Sequence, residues 1–154
     1  MSEAAPLAVT LRRMHVLDLP ALTDMWVESW EKVFPDIDFE GRRMWFYDRM
    51  SEHLLTGVRC VVAEHGDAPR GFVTVDEATG FIDQLAVAPQ AMGRGVAHAL
   101  ITEARRLSPR VLLLDVNEHN VRALAFYGRE GFRVAGEGTS EASGLPLLRM
   151  EWRP

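Results

Sequence analysis

Apolar positions follow two periods along this chain. From Leu22 to Val33 they recur three and four residues apart, at Leu22, Met25, Trp26, Trp30 and Val33, the spacing of one helix face. Asp18 precedes that run as an N-cap, Pro20 sits in the first turn where its missing N–H costs nothing, and Pro35 stops the helix. A second, shorter helix is predicted from Phe39 to about Met50, dense in Met44, Trp45, Phe46 and Tyr47. Val96, Ala97, Leu100, Ile101, Ala104 and Leu107 mark one face of a third, which Pro109 ends. A compact fourth starts at an Asn120 N-cap and closes with Gly131 at C′.

Between the helices the pattern shortens to β-branched and apolar runs. Val9 to Arg13 reads as a first strand. Val58 to Glu64 and Gly71 to Asp76 are joined by the turn composition Gly66-Asp67-Ala68-Pro69. Ala78-Thr79-Gly80 turns into a strand from Phe81 to Val87, and these three strands are expected to form an antiparallel meander. Val111 to Val116 is apolar apart from Asp115; Phe132 to Ala135 and Leu147 to Trp152 flank a glycine-rich turn from Gly136 to Gly144. The order β-α-α-β-β-β-α-β-α-β-β predicts an α+β sandwich with a mixed sheet, one domain over residues 1 to 154. Phe81–Val87, the third helix and Val111–Val116 form a β-α-β crossover, which predicts parallel neighbours.

Apolar residues make up 47% of the chain, enough for a core. The 17 Lys and Arg against 22 Asp and Glu give a net charge of −5, which argues against nucleic acid as a partner. Met1 to Thr10 has neither the basic start nor the apolar run of a signal peptide, and no window approaches the ~20 apolar residues of a membrane span. A soluble, cytoplasmic protein is expected. Cys60 is the lone cysteine, in a buried run, and reads as a core residue. The five histidines show no ligand spacing and no metal is expected; Gly-x-Ser-x-Gly is absent.

One segment changes this picture. Leu85-Ala86-Val87-Ala88-Pro89-Gln90-Ala91-Met92-Gly93-Arg94-Gly95-Val96-Ala97 runs from a strand into a helix through small residues. A helix N-terminus offers unpaired N–H groups and a positive dipole end, and Gly93 and Gly95 let a bulky anion approach the backbone. Arg94 and His98 add positive or donor groups, so a di- or triphosphate site fits, as does a tight turn chosen for packing. Neither Gly-x-Gly-x-x-Gly nor the P-loop is completed.

A second constellation follows in Asn120-x-x-Ala123-x-x-Phe126-Tyr127 and Gly131-Phe132. With Leu85-Ala86-Val87 and Gly93-x-Gly95-x-Ala97 before it, the stretch from Phe81 to Phe132 resembles the GCN5-related N-acetyltransferase (GNAT) family. The resemblance departs at Met92, which stands where the family usually has Arg or Gln; a register through Gln90 displaces the loop by two residues. It implies a GNAT-like sandwich, its twisted sheet mostly antiparallel and flanked by helices, with a splayed parallel strand pair. It also implies acetyl-CoA as cosubstrate. Backbone groups of Leu85 and Val87, flanking Ala86, would pair with the pantetheine arm. The loop from Met92 through Gly93, Arg94, Gly95 and Val96 to Ala97 would cradle the pyrophosphate, with His98 reaching a phosphate. Asn120 would contact the pantetheine arm, and Phe126 and Tyr127 would lie at the cofactor.

Acyl transfer to an amine needs a polarised thioester carbonyl, a neutral amine and a proton for the thiolate. A backbone N–H near Val87 suits the first. Tyr127 is the expected acid, with sheet packing as its other role. Asp83 is the expected base, in competition with Glu28, Glu118, His119, a water chain and a purely structural carboxylate. The acceptor, a small-molecule or peptide amine, would meet the early helices and the Gly136–Gly144 turn, where the aromatics Trp26, Trp30, Phe34, Trp45, Phe46 and Tyr47, most of which read as core, and the carboxylates Glu28, Glu31, Asp36 and Asp38, which equally read as a solvated face, are available. A homodimer is left open. The competing readings are a non-catalytic acyl-CoA sensor and a regulator that binds another phosphate through the same loop.

Overall fold

A computed structural model describes residues 5–141 and 143–154. Its strands are β1 (Thr10–Arg13), β2 (Arg59–His65), β3 (Ala68–Val75), β4 (Leu85–Val87), β5 (Leu112–Asn117), β6 (Arg133–Thr139) and β7 (Pro146–Trp152). The helices are α1 (Leu19–Val33), α2 (Arg43–Thr56), α3 (Val96–Leu107) and α4 (Val121–Arg129). The strands make two antiparallel sheets, in the orders β1-β2-β3-β4 and β5-β7-β6. They are joined by a parallel bridge between Phe81 and Leu113. The element order is the expected one, and the fold is a mixed α+β sandwich.

Helices cover both faces of the first sheet. Phe72 meets Phe46 of α2, their ring centroids 5.7 Å apart, and Phe46 stacks on Trp26 of α1 at 4.7 Å. Neighbouring Gly71 faces the other way. A Cβ there would lie 2.9 Å from Val96 and 3.1 Å from Leu100, so α3 sits where only glycine leaves room. The large side chains that fill these layers, among them Leu22, Met50, Phe72, Leu100 and Leu112, are fully buried. Each such side chain contributes ~1.5–3 kcal/mol relative to an exposed one.

Several boundaries move. The turn between β2 and β3 tightens to Gly66-Asp67, both at positive φ, as a two-residue hairpin with the right-handed strand twist prefers. Helix α2 begins at Arg43, since Phe39 leaves the helical path to bury its ring against Trp26 and Trp30. Asp18 stands at the N-cap position of α1 without capping it: its carboxylate is held by Arg12 at 2.8 and 2.9 Å and by the His15 N–H at 2.7 Å. The turn expected from Gly136 shortens, because β6 continues to Thr139.

The larger correction concerns Phe81 to Val87, of which only Leu85–Val87 is a strand. Thr74 N–H donates to Gln84 O and Asp76 N–H donates to Phe81 O, both at 2.9 Å. Two residues of β3 therefore span three of the opposing segment, which is the count of a β-bulge. The Gln84 N–H is diverted to the buried Thr74 Oγ1 at 2.9 Å. The bulge turns β4 away from β5 just beyond the bridge. The parallel pair meets there and then parts.

Candidate active site

The parting of β4 and β5 opens a cleft of about 1000 Å³, walled by α1, by the loop into α3 and by α4. The expected acid, the expected base and the expected cofactor-binding residues line it, except Arg94; of the competing bases His119 lines it and Glu28 and Glu118 do not. Backbone direction decides what β4 offers. Ala88 N–H donates to Arg70 O at 2.8 Å and Thr74 N–H to Gln84 O at 2.9 Å, so even-numbered residues aim their backbone groups at β3. By alternation Leu85 and Val87 aim theirs at the gap. The Val87 carbonyl accepts from the hydroxyl of Ser29, 4% exposed on α1, at 2.8 Å. The Leu85 groups and the Val87 N–H, which no neighbouring strand takes up, leave an edge inside the cleft that is a template for an extended ligand with amide groups.

The loop after β4 makes one 3-10 turn, Pro89–Ala91, and α3 starts at Val96, directly after Gly95. Gly93 and Gly95 hold φ of +74° and +83°, a region closed to most L side chains, and a Cβ on Gly95 would meet nothing within 4 Å. A ligand therefore has an open approach to the first-turn N–H groups of α3, which have no intrahelical acceptor. Arg94 turns elsewhere. Its Nε donates to Ala5 O at 3.0 Å and its carbonyl accepts from Leu7 N–H at 2.9 Å, so its charge serves the N-terminal segment. His98, with a side chain 63% exposed, gives its Nδ1 to Glu130 at 2.9 Å rather than standing free for a phosphate.

Helix α4 supplies the opposite wall. Asn120 Oδ1 caps it, accepting Ala123 N–H at 3.2 Å. Tyr127, 8% exposed, packs edge-on against Phe126 and Phe132, centroids 5.2 and 5.4 Å away. Burial pushes its phenol well above the ordinary value, so the hydroxyl keeps its proton. Arg122 and Arg129 also line the cleft and were not singled out from the sequence, although with Phe126 they recur at helical spacing on one face of α4. Among the described residues neither forms an ion pair. Lys32 of α1 adds a third cation. Ser29 was missed as well, its tie to Val87 spanning 58 residues.

Asp83 is where the sequence reading needs most revision. It lines the cleft, yet Arg49 Nε and Nη2 donate to it at 3.0 and 2.7 Å and His53 Nε2 lies at 2.8 Å. Burial works against its charge, but the bonds from His53 and Arg49 outweigh burial and hold the carboxyl well below the usual carboxylate range. A group so reluctant to take a proton is a poor base. Cys60 is buried; burial first, and the Asp83 charge second, push its thiol up to about 12, so it remains a neutral core residue. Among the described residues no group of three or more His, Cys, Asp or Glu is placed to hold a metal, and no helix is long and apolar enough to cross a membrane.

A splayed strand edge, a glycine loop at a helix N-terminus and a buried tyrosine around one cleft define an acyl-CoA-type transferase site. The acetyltransferase (GNAT) domain model matches residues 34–154, and the chain belongs to the GNAT acetyltransferase family. It is 29% identical over 142 residues to the peptidyl-lysine N-acetyltransferase YiaC of Escherichia coli, covering 92% of this chain and 95% of that one. The solution structure of apo YjaB from Escherichia coli superimposes with a TM-score of 0.77 at 26% identity, over 95% of this chain and 98% of that one. A 5-NmdU N-acetyltransferase of Pseudomonas phage PaMx11 is 38% identical over 96 residues, 59% of this chain and 67% of the phage protein.

Proposed function

We propose that this chain transfers the acetyl group of acetyl-CoA to the ε-amine of a lysine side chain in a peptide, by direct attack in a ternary complex. The observation that carries it is the outward-facing backbone edge of Leu85 and Val87, in one cleft with the open N-terminus of α3 and with Tyr127. The residues fit the cosubstrate. Gly93 and Gly95 leave the loop open for its pyrophosphate, Arg122, Arg129 and Lys32 offset phosphate charge, and the β4 edge matches the amides of its pantetheine arm. Acetyl-CoA supplies an activated acyl carbon. The N–H of Val87 donates to the oxygen that gains charge there, and Tyr127 gives its proton to the departing sulfur.

The acceptor follows from charge and kinship. Residues 24–40 hold six carboxylates and one lysine, a net of −5 that equals the net charge of the whole chain. Ser29, Trp30, Lys32 and Val33 of this segment line the cleft, while Glu28, Glu31, Asp36 and Asp38 are exposed and, among the described residues, in no ion pair. Such a rim draws in cations and repels a polyanion. That favours the peptidyl-lysine named for YiaC over the 5-NmdU named for the phage relative. Thiol release from acetyl-CoA with lysine peptides and with polyamines, beside calorimetric titration of acetyl-CoA, tests it. Acetyl-CoA binding and lysine-dependent thiol release are expected. Binding without turnover of any amine would make the protein an acyl-CoA sensor.

A further inference from the structure

At one end of the cleft the side-chain donors of Arg49, His53 and Gln84 all run to a single carboxylate. Asp83 Oδ1 receives Arg49 Nη2 at 2.7 Å; Oδ2 receives Arg49 Nε at 3.0 Å, His53 Nε2 at 2.8 Å and Gln84 Nε2 at 3.3 Å. The carboxylate only accepts, so the His53 nitrogen facing it carries the hydrogen. Gln84 is oriented as firmly: the Trp26 indole only donates, so its partner at 3.1 Å is the amide oxygen and the NH2 turns to Asp83. The Gln84 backbone is pinned on both sides by Thr74. Helices α1 and α2 and the bulge thus converge on one anion.

A carboxylate offers about four acceptor positions. Four donors reach it, but unevenly: three crowd Oδ2, Gln84 the most distant at 3.3 Å, and only Arg49 Nη2 reaches Oδ1, so Oδ1 keeps its second acceptor position, on a side chain that is 14% exposed and lines the cleft. The arginine changes what that position can hold. A bare carboxylate beside an amine would stabilise the ammonium and raise its pKa by ~1–3 units, withdrawing the reactive neutral form. A carboxylate already paired with Arg49 accepts an N–H while presenting little net charge.

We propose that Asp83, held by Arg49, His53 and Gln84, is a positioning residue that accepts an N–H of the acceptor amine, aims its lone pair at the acyl carbon, and takes no proton in the reaction. The inference rests on the amine-acceptor reading above. As the C–N bond forms and the C–S bond breaks, the amine proton leaves to water, the thiolate takes one from Tyr127, and the phenolate is reprotonated from water, so no net proton stays on the protein. The ionisable groups facing Asp83 are Arg49 and His53 of α2 and Cys60 of β2, with Glu52 acting on Arg49.

The test is kcat and KM for a lysine peptide across neutral to alkaline pH in the wild type, Asp83→Asn and Arg49→Gln, with acetyl-CoA titrated into each. The wild-type kcat/KM should rise along the ionisation of the amine itself, near 10.4 for a free lysine. Asp83→Asn should raise the peptide KM about tenfold or more, as loss of a charge-assisted bond implies, with kcat and acetyl-CoA affinity nearly kept. Arg49→Gln should move the rising limb about one unit to higher pH, because the uncompensated carboxylate now holds the ammonium. A fall in kcat of about a hundredfold for Asp83→Asn, the scale of a lost base, would overturn the inference alone. So would an unmoved limb in Arg49→Gln, a variant that decides the matter if Asp83→Asn fails to fold. A wild type that binds acetyl-CoA but acetylates no peptide would overturn the acceptor reading and this inference with it.

Discussion

Two residues carry opposite kinds of information at this site. Gly95 matters for what it lacks. At φ +83°, with no atom within 4 Å of an added Cβ, it keeps the approach to α3 open. Gly95→Glu would force an L side chain into the left-handed region at ~1–2 kcal/mol and set a carboxylate where phosphates bind. Titration with CoA should show affinity reduced by about a hundredfold or more, the scale of one repelled charge plus strain; an unchanged value would dismiss the loop as the phosphate site. Tyr127 matters for one atom. Tyr127→Phe keeps the ring contacts with Phe126 and Phe132 and removes the hydroxyl. Turnover should fall ~10²–10⁴-fold with CoA binding intact, and full activity would leave Tyr127 a packing residue. Gly95 is legible as part of a local strand-to-helix turn, and Tyr127 through the resemblance of Asn120-x-x-Ala123-x-x-Phe126-Tyr127 to the GNAT family. Asp83 is not: Arg49 and His53 lie 34 and 30 residues away, and without them it reads as an ordinary strand carboxylate.

Among the elements, α4 and the β4 bulge divide the work. Asn120 caps a helix of nine residues, short enough for one cap to count. Asn120→Ala should cost about 1 kcal/mol, read from the denaturation midpoint, whereas Asn120→Asp should retain most of it. The helices were readable from spacing and caps, since helical hydrogen bonds close within four residues. The bulge was not. Phe81-Ile82-Asp83-Gln84 carries no turn signal and runs on into Leu85-Ala86-Val87, so it reads as strand, but the Thr74 hydroxyl and the parallel bridge to Leu113 break it, and neither partner belongs to the segment itself. Ser29 belongs to the same case. It gives up the local option of a bond to its own helix to hold the Val87 carbonyl across 58 residues.

At the scale of the molecule, charge is unevenly spread. The acidic segment from 24 to 40 contributes Ser29, Trp30, Lys32 and Val33 to the cleft wall, so if its exposed carboxylates attract the acceptor the KM for a lysine peptide should rise with ionic strength, more than that for a neutral amine. A salt-independent KM would remove the electrostatic argument for a cationic acceptor. Stability should follow pH through Asp83 and Asp18, whose carboxyls are both held below the unfolded value. For Asp83, burial is outweighed by His53 and Arg49; for Asp18, the Arg12 bond dominates. A depressed carboxyl stabilises the fold fully above its unfolded pKa, about 4, and that contribution drains away as pH falls toward the folded value. The midpoint temperature should drop on acidification below about pH 4, and less steeply in Asp83→Asn.

The sequence by itself determined what rests on near neighbours: helices α1 to α4, the Asn120 cap and Gly131 close of α4, the order of the strands, and the glycine loop poised on a helix N-terminus; its likeness to the GNAT family pointed to Tyr127. Periodicity, capping and backbone freedom act over a few residues, so they leave marks in a single segment. Tertiary structure alone decided that β4 and β5 meet at one bridge and part, that the Leu85 and Val87 backbone faces the gap, that Arg94 and His98 turn to other partners, and that Asp83 is an arginine-bound anion. Those outcomes depend on which distant groups share a buried space. Burial strengthens each hydrogen bond and charge there and penalises any left unpaired, and no local pattern records the partner.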